Sequence, residues 1–247
     1  METAEFIETL RRDGELMADA AEEAGWEAPV PTCPDWRVRD LVTHMGAVHR
    51  WAAGFVAGAT EPAPMAVNAP EDEALACWFR DGHRQLLDRL IAAPADLECW
   101  TFLSAPSPLA FWARRQAHET AIHRFDAEAA LGKGHAPYRT DFAVDGIDEL
   151  LAGFQTRSRS RVRTESPRVL RIRAADGTSG PVEWWLRLSQ DPPRVERTPG
   201  VGAADCTISG PAAALYLTLW NRGGYEDLDV TGDGSLAELW RNTSAVD

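Results

Sequence analysis

Apolar positions recur with a helical period through the first half of the chain and in shorter, alternating runs through the second. Between residues 3 and 24, Phe6, Ile7, Leu10, Met17 and Ala21 form one stripe, and Gly25 closes the helix that they predict. The loop Pro29-Val-Pro-Thr-Cys-Pro34 comes next. Asp35 is then expected to cap a helix from Trp36 to about Gly58. Its buried stripe is Leu41, Met45, Val48, Ala52 and Phe55, with His44 on one shoulder and His49 on the other. An Ala-, Gly- and Pro-rich loop over 57–70 leads to a third helix at about 71–93, where Leu75, Trp78, Phe79, Leu86, Leu87 and Leu90 face inwards. A fourth helix, 107–131, starts at Pro106 and Pro108 and stops at Gly132 and Gly134.

Four helices of about twenty residues joined by loops predict a four-helix bundle. After Gly132-Lys-Gly-His-Ala-Pro137 the period changes. A helix from about Val144 to Phe154 is followed by strands at 169–173 and 182–188, ended by Asp176-Gly177 and Asp191-Pro192-Pro193. Shorter strand candidates lie at 194–198 and 205–209. Gly210-Pro211 opens an apolar helix to about Trp220, and Ser235 is expected to cap a last one. The fold class is therefore an all-α four-helix bundle over residues 1–138, followed by a small α+β domain over 139–247.

Charge and cysteine usage narrow the function. A net charge of −13 and a pI near 4.9 argue against nucleic acid or an anionic membrane as partner. No apolar run is long enough to span a bilayer, and the acidic start Met-Glu-Thr-Ala-Glu-Phe has no signal-segment pattern. Cys33, Cys77, Cys99 and Cys206 are scattered without a C-x-x-C spacing, as expected for free thiols in a cytoplasmic protein.

The candidate chemistry sits in the fourth helix, at His118-Glu119-x-x-x-His123. At about 100° per residue, Glu119 and His123 lie about 40° apart, whereas His118 and His123 lie about 140° apart. Glu119 and His123 can thus share one metal ion, and His118 cannot join them. This differs from the H-E-x-x-H arrangement of zinc proteases. Leu109, Trp112, Gln116, Ala127 and Ala130 share that face, so both polar groups look towards packed neighbours and need a partner. That partner is either a metal ion or simply each other, as an i,i+4 hydrogen-bonded pair. A third ligand would come from His44 or His49, and periodicity does not choose between them.

Thr32-Cys-Pro-Asp-Trp36, Asp40-Leu-Val-Thr-His44, Trp100-Thr-Phe and His118-Glu-Thr-Ala-Ile-His-Arg-Phe-Asp-Ala-Glu128 resemble the mycothiol-dependent maleylpyruvate isomerase family along the whole chain. The resemblance implies a DinB-type metal-binding bundle and a C-terminal domain like that of sterol carrier proteins. It implies His44, Glu119 and His123 as ligands of a divalent metal, most simply Zn²⁺, and so settles the choice between His44 and His49. It also implies Asp126 beside the site, orienting a ligand or meeting an incoming thiol. Cys33, although within a matching motif, is read as a structural thiol, as buried free cysteines usually are. The thiol mycothiol would be the cosubstrate, held as a thiolate by the metal. Addition of that thiolate to a cis double bond conjugated with carbonyls, rotation, and expulsion of the thiol would give the trans product.

The implied substrate is a small electrophile of dicarboxylate type, which calls for a cation. Arg222 in Leu219-Trp-Asn-Arg222 is the candidate, although Asn221 stands where a Gly is expected. Arg157, Arg159, Arg161, Arg163, Arg168, Arg171 and Arg173 are rivals, more simply explained as a solvated helix end and an outer strand face. The family scaffold serves several reactions, so isomerisation and transfer of the thiol to an electrophile are both open. A monomer or homodimer is expected. A second class of function is a non-catalytic ligand- or protein-binding module with a structural or vestigial metal site. The Trp-rich second domain (Trp184, Trp185, Trp220, Trp240) is compatible with it.

Overall fold

Helix α1, Thr3–Ala24, follows its apolar stripe closely: Phe6, Leu10, Met17 and Ala21 are all buried. The Glu5 carboxylate accepts the Glu2 amide at 2.9 Å, and Gly25 at φ +85° lets the chain leave the helix. The computed structural model describes residues 1–198 and 203–246. It divides into two units, 1–136 and 137–247.

Helix α2 spans Val38–Val56, two residues later than the sequence suggests, and Asp35 does not cap it. Residues 30–36 are tied into a tight loop first, by the Cys33 amide on the Val30 carbonyl (3.0 Å), the Trp36 amide on the Cys33 carbonyl (2.8 Å) and the Val30 amide on the Trp36 carbonyl (3.0 Å). The capping acid is instead Asp40, one turn inside, whose carboxylate accepts the Arg37 amide at 2.8 Å. Helix α3, Asp72–Ala92, packs closely on α2 where glycines leave room. A Cβ on Gly46 would come within 2.1 Å of the Trp78 ring, and one on Gly82 within 2.2 Å of the Arg50 guanidinium.

Helix α4, Pro108–Leu131, is the axis of the bundle, packing on α1 and α2 and touching α3. The Ser107 hydroxyl accepts the Ala110 amide at 3.1 Å, and Gly132 at φ +73° closes the helix. It is buried nearly all round, so its polar side chains must find partners inside. Arg124 does so against Asp13 of α1 at 3.6 Å, both fully buried, and donates to the Ala136 carbonyl at 3.1 Å.

In the second unit, α5 (Thr140–Asp148) begins four residues earlier than the pattern suggests and runs on as a π-helical turn, Glu149–Phe154. Five strands form one sheet: β1 Arg168–Ala174, β2 Val182–Leu188, β3 Arg194–Glu196, β4 Cys206–Gly210 and β5 Asp229–Gly232. Their order is β3-β2-β1-β4-β5, with β1 and β4 parallel and the other pairs antiparallel. Helix α6, Ala212–Leu219, follows β4 and packs on α5, and α7, Ser235–Thr243, closes the unit. Strand β5 has no counterpart in the sequence expectations, and Ser235 is the first helical residue of α7 rather than its cap, which is Gly234.

The inner sheet face carries Leu170, Ile172, Trp184, Leu186 and Ile208, all buried. Trp184 and Trp240 are fully buried with their indole N–H groups bonded to the Asp148 carboxylate (3.1 Å) and the Leu219 carbonyl (3.0 Å). Both are core residues of the usual kind. The arginines of β1 are engaged with neighbours: Arg168 with Asp205 and Asp233, Arg173 with Glu183 at 3.3 Å, and Arg171 over the Trp185 ring at 5.3 Å.

Candidate metal centre

Helix α4 sets two of the three candidate ligands. Glu119 and His123 are one turn apart on the same face, and His123 Nε2 lies 3.5 Å from Glu119 Oε1. Helix α2 brings the third, with His44 Nε2 at 3.6 Å from the same oxygen. The three ligand atoms all lie within 4.8 Å of one another. Ligands at about 2.0–2.2 Å around a tetrahedral ion stand roughly 3.4 Å apart, so these spacings fit a divalent cation with little movement. Two imidazoles and one carboxylate also suit zinc chemically and leave a fourth position for water or a thiol. Among the described residues, no other His, Cys, Asp and Glu side chains come together in this way.

His49, the rival on α2, lies elsewhere. It is fully buried, with Nε2 2.9 Å from the Thr120 hydroxyl and its ring 5.3 Å from that of His83. His118 is buried on another face of α4, edge-on to Phe6 with centroids 5.8 Å apart.

The ligands are held from behind. Asp126, fully buried one turn beyond His123, has Oδ2 2.8 Å from His123 Nδ1, so the Nδ1–H tautomer leaves the Nε2 lone pair for a metal. Thr32 donates to the other oxygen of Asp126 at 2.5 Å, and Cys33 Sγ stands 3.7 Å from Oδ2. Both oxygens of Asp126 are thus engaged, and its side chain has no solvent exposure. The Trp36 ring covers both imidazoles, its centroid 5.1 Å from His44 and 5.9 Å from His123. Arg115, only 3% exposed, donates to Glu119 Oε2 at 3.0 Å and so leaves Oε1 turned towards the histidines.

The electrostatics follow from these contacts. Burial alone would raise the Glu119 carboxyl, but the hydrogen bonds from His123 and His44 and the Arg115 charge hold it well below the usual carboxylate range. Burial would likewise lower His123, yet Asp126 and Glu119 outweigh it and raise it above the usual imidazole value. The Glu119 and His44 side chains remain about a quarter exposed.

Arg115 was not evident in the sequence as part of the site. Its signal was there, since it stands four residues before Glu119, the same spacing that joins Glu119 to His123. Arg222 belongs to the second unit, where its guanidinium donates to the Trp220 carbonyl at 3.0 Å. Asn221, in the position expected for Gly, takes a left-handed φ of +60°, which Asn tolerates better than other side chains.

Comparison with known proteins places both units of the chain. Residues 7–128 match the mycothiol maleylpyruvate isomerase N-terminal domain, and residues 141–239 match the C-terminal domain of the same family. A solved mycothiol-dependent maleylpyruvate isomerase and a His-to-Ala mutant form of it each superpose with a TM-score of 0.63 at 14% identity, covering 94% of this chain and 93% of theirs. At that identity the superposition shows a shared fold. A ubiquinone synthesis protein, UbiJ-SCP2, is 26% identical over 44% of this chain and 95% of its own, with a TM-score of 0.27 that carries no argument for a sterol-carrier-like second unit. No curated protein matches the sequence. No helix among the described residues is long and apolar enough to cross a membrane. Two family domains in series, covering most of the chain, show that it belongs to the mycothiol maleylpyruvate isomerase family.

Proposed function

We propose that this chain is a metal-dependent, mycothiol-using enzyme that acts on a small electrophilic substrate, by cis–trans isomerisation or by thiol transfer. The observation that carries it is the convergence of His44 Nε2 and His123 Nε2 on Glu119 Oε1, at 3.6 and 3.5 Å. A divalent metal, most simply Zn²⁺, would be held by these three residues and would supply the acidity that keeps a bound thiol as its nucleophilic thiolate.

The protein's own groups have separable tasks. Arg115 adds to His123 and His44 in keeping Glu119 ionised and holds its second oxygen. Asp126 keeps the His123 proton on Nδ1. Trp36 packs against both imidazoles and restricts their planes. Arg222 is our candidate for the substrate carboxylate, and the left-handed Asn221 keeps the turn that carries it. The nucleophile arrives with the cosubstrate, which accounts for Cys33 being engaged with Asp126 rather than activated.

The test is turnover of candidate electrophiles by the zinc-loaded protein with mycothiol, following free thiol. Isomerisation leaves the thiol concentration unchanged, whereas transfer consumes it one for one. Rates equal to those of mycothiol alone with every electrophile would remove the enzymatic reading.

A further inference from the structure

The loop between α1 and α2 ends in a contact that the proposed chemistry does not use. The Thr32 hydroxyl donates to Asp126 Oδ1 at 2.5 Å across 94 positions of sequence, and Cys33 Sγ stands 3.7 Å from Oδ2. Asp126 is fully buried and carries His123 Nδ1 on Oδ2 at 2.8 Å. A carboxylate with one fixed acceptor oxygen still rotates about its Cβ–Cγ bond. Fixed at both oxygens, it has one orientation and presents Oδ2 to one imidazole nitrogen.

The loop itself is rigid enough to transmit this. Three backbone hydrogen bonds of 2.8–3.0 Å close residues 30–36. The same loop sets Trp36 against the His44 and His123 rings. A hydroxyl is therefore held at a defined point beside the helix that bears two of the candidate ligands.

We propose that Thr32 is a positioning residue of the metal centre, acting through Asp126 to hold His123 as its Nδ1–H tautomer with Nε2 directed at the metal. The inference rests on the metal-site reading of His44, Glu119 and His123. A purely structural alternative is that Thr32 only tethers the loop to α4. The two differ in what they predict for the imidazole. Thr32→Val keeps the shape and removes the donor, and Thr32→Ser keeps the donor and removes the methyl group.

The experiment compares wild type, Thr32→Val and Thr32→Ser in three readouts. These are Zn²⁺ affinity by competition with a chromophoric chelator, imidazole ¹⁵N spectra of the metal-free protein at alkaline pH, and the metal-free melting temperature. Thr32→Val is expected to weaken Zn²⁺ binding about tenfold, the low end for loss of an outer-shell partner, and Thr32→Ser to stay within about twofold of wild type. The His123 ring should be the Nδ1–H tautomer in wild type and Thr32→Ser, and a mixture in Thr32→Val. Unchanged affinity and tautomer in Thr32→Val, or Thr32→Ser as weak as Thr32→Val, overturns the proposal. So does a lower melting temperature of Thr32→Val with the tautomer unaltered, which marks a tether. Should valine prevent folding, Thr32→Ala is read in the same way. Failure of wild type to bind Zn²⁺ would instead defeat the metal-site reading itself.

Discussion

Replacing Glu119 by Gln changes one atom and removes the only anion among the three candidate ligands. In zinc peptides with four ligands, binding is worth about 10–16 kcal/mol, so one ligand accounts for about 2.5–4 kcal/mol, or roughly 10²–10³-fold in affinity. The same change leaves Arg115, 3% exposed and 3.0 Å from Oε2, facing a neutral acceptor. Charged hydrogen bonds are worth about 1.5–3 kcal/mol, and with Glu119 a quarter exposed the metal-free protein should lose about 1–2 kcal/mol.

The pH dependence separates the two effects. The folded Glu119 carboxyl sits well below its usual value, so the stability it contributes is present above the ordinary carboxylate pKa and is lost as pH falls towards the folded one. Glu119→Gln should therefore flatten the acid limb of the metal-free stability curve. The assays are Zn²⁺ titration by chelator competition and urea unfolding of the metal-free protein from about pH 3 to 8, roughly the range over which Glu and His titrate. A variant with wild-type Zn²⁺ affinity would refute the ligand assignment, and one with an unchanged acid limb would refute the charge argument.

Other consequences are smaller in scope. Metal binding must displace the His123 proton, and because that imidazole is raised above its usual value, affinity should begin to fall already above about pH 6.5, as Zn²⁺ titrations at several pH values would show. His49 and His83 are both lowered, burial being the main cause, so each contributes stability above the unfolded pKa of about 6.5 that is lost on acidification, at about 1.4 kcal/mol per pH unit for each group. Urea midpoints of His49→Gln against wild type should show a slope shallower by about one such group. Asn221→Val, with a β-branched side chain at φ +60°, should cost about 1–2 kcal/mol, while Asn221→Gly stays near wild type in thermal unfolding. Arg222→Ala should raise KM for a carboxylate substrate without changing Zn²⁺ content; a variant that loses metal would show that Arg222 acts on the fold.

The bundle was legible because its signals are local. The stripe of α1 and the closing Gly25 are enough to fix that helix to the residue, and Pro108 and Gly132 place α4 to within one residue. The start of α2 was not, because its capping acid lies one turn inside the helix while the more obvious Asp35 stays exposed in a hydrogen-bonded loop. Strand β5 escaped notice since Asp229–Gly232 has one apolar side chain and no alternation, and its place comes from pairing with β4. At the site, the pairing of Glu119 with His123 follows from helical spacing alone. The choice between His44 and His49 does not, since both stand on shoulders of one stripe; the family resemblance implies His44, and packing sets His44 against Glu119 and His49 against Thr120 and His83. Thr32 and Arg115 were hidden for the same reason, their partners being defined by packing or by a spacing shared with many surface pairs.

The central claim is that three residues from two helices hold a catalytic metal, and one comparison tests it most directly. Wild type and His123→Ala, each stripped of metal and reloaded with Zn²⁺, are assayed for bound zinc and for mycothiol-dependent turnover, with helicity followed by circular dichroism. The account predicts about one zinc per wild-type chain with thiol-dependent activity, and a His123→Ala protein that keeps its helical fold but loses both. A folded His123→Ala that retains zinc and full activity would contradict it.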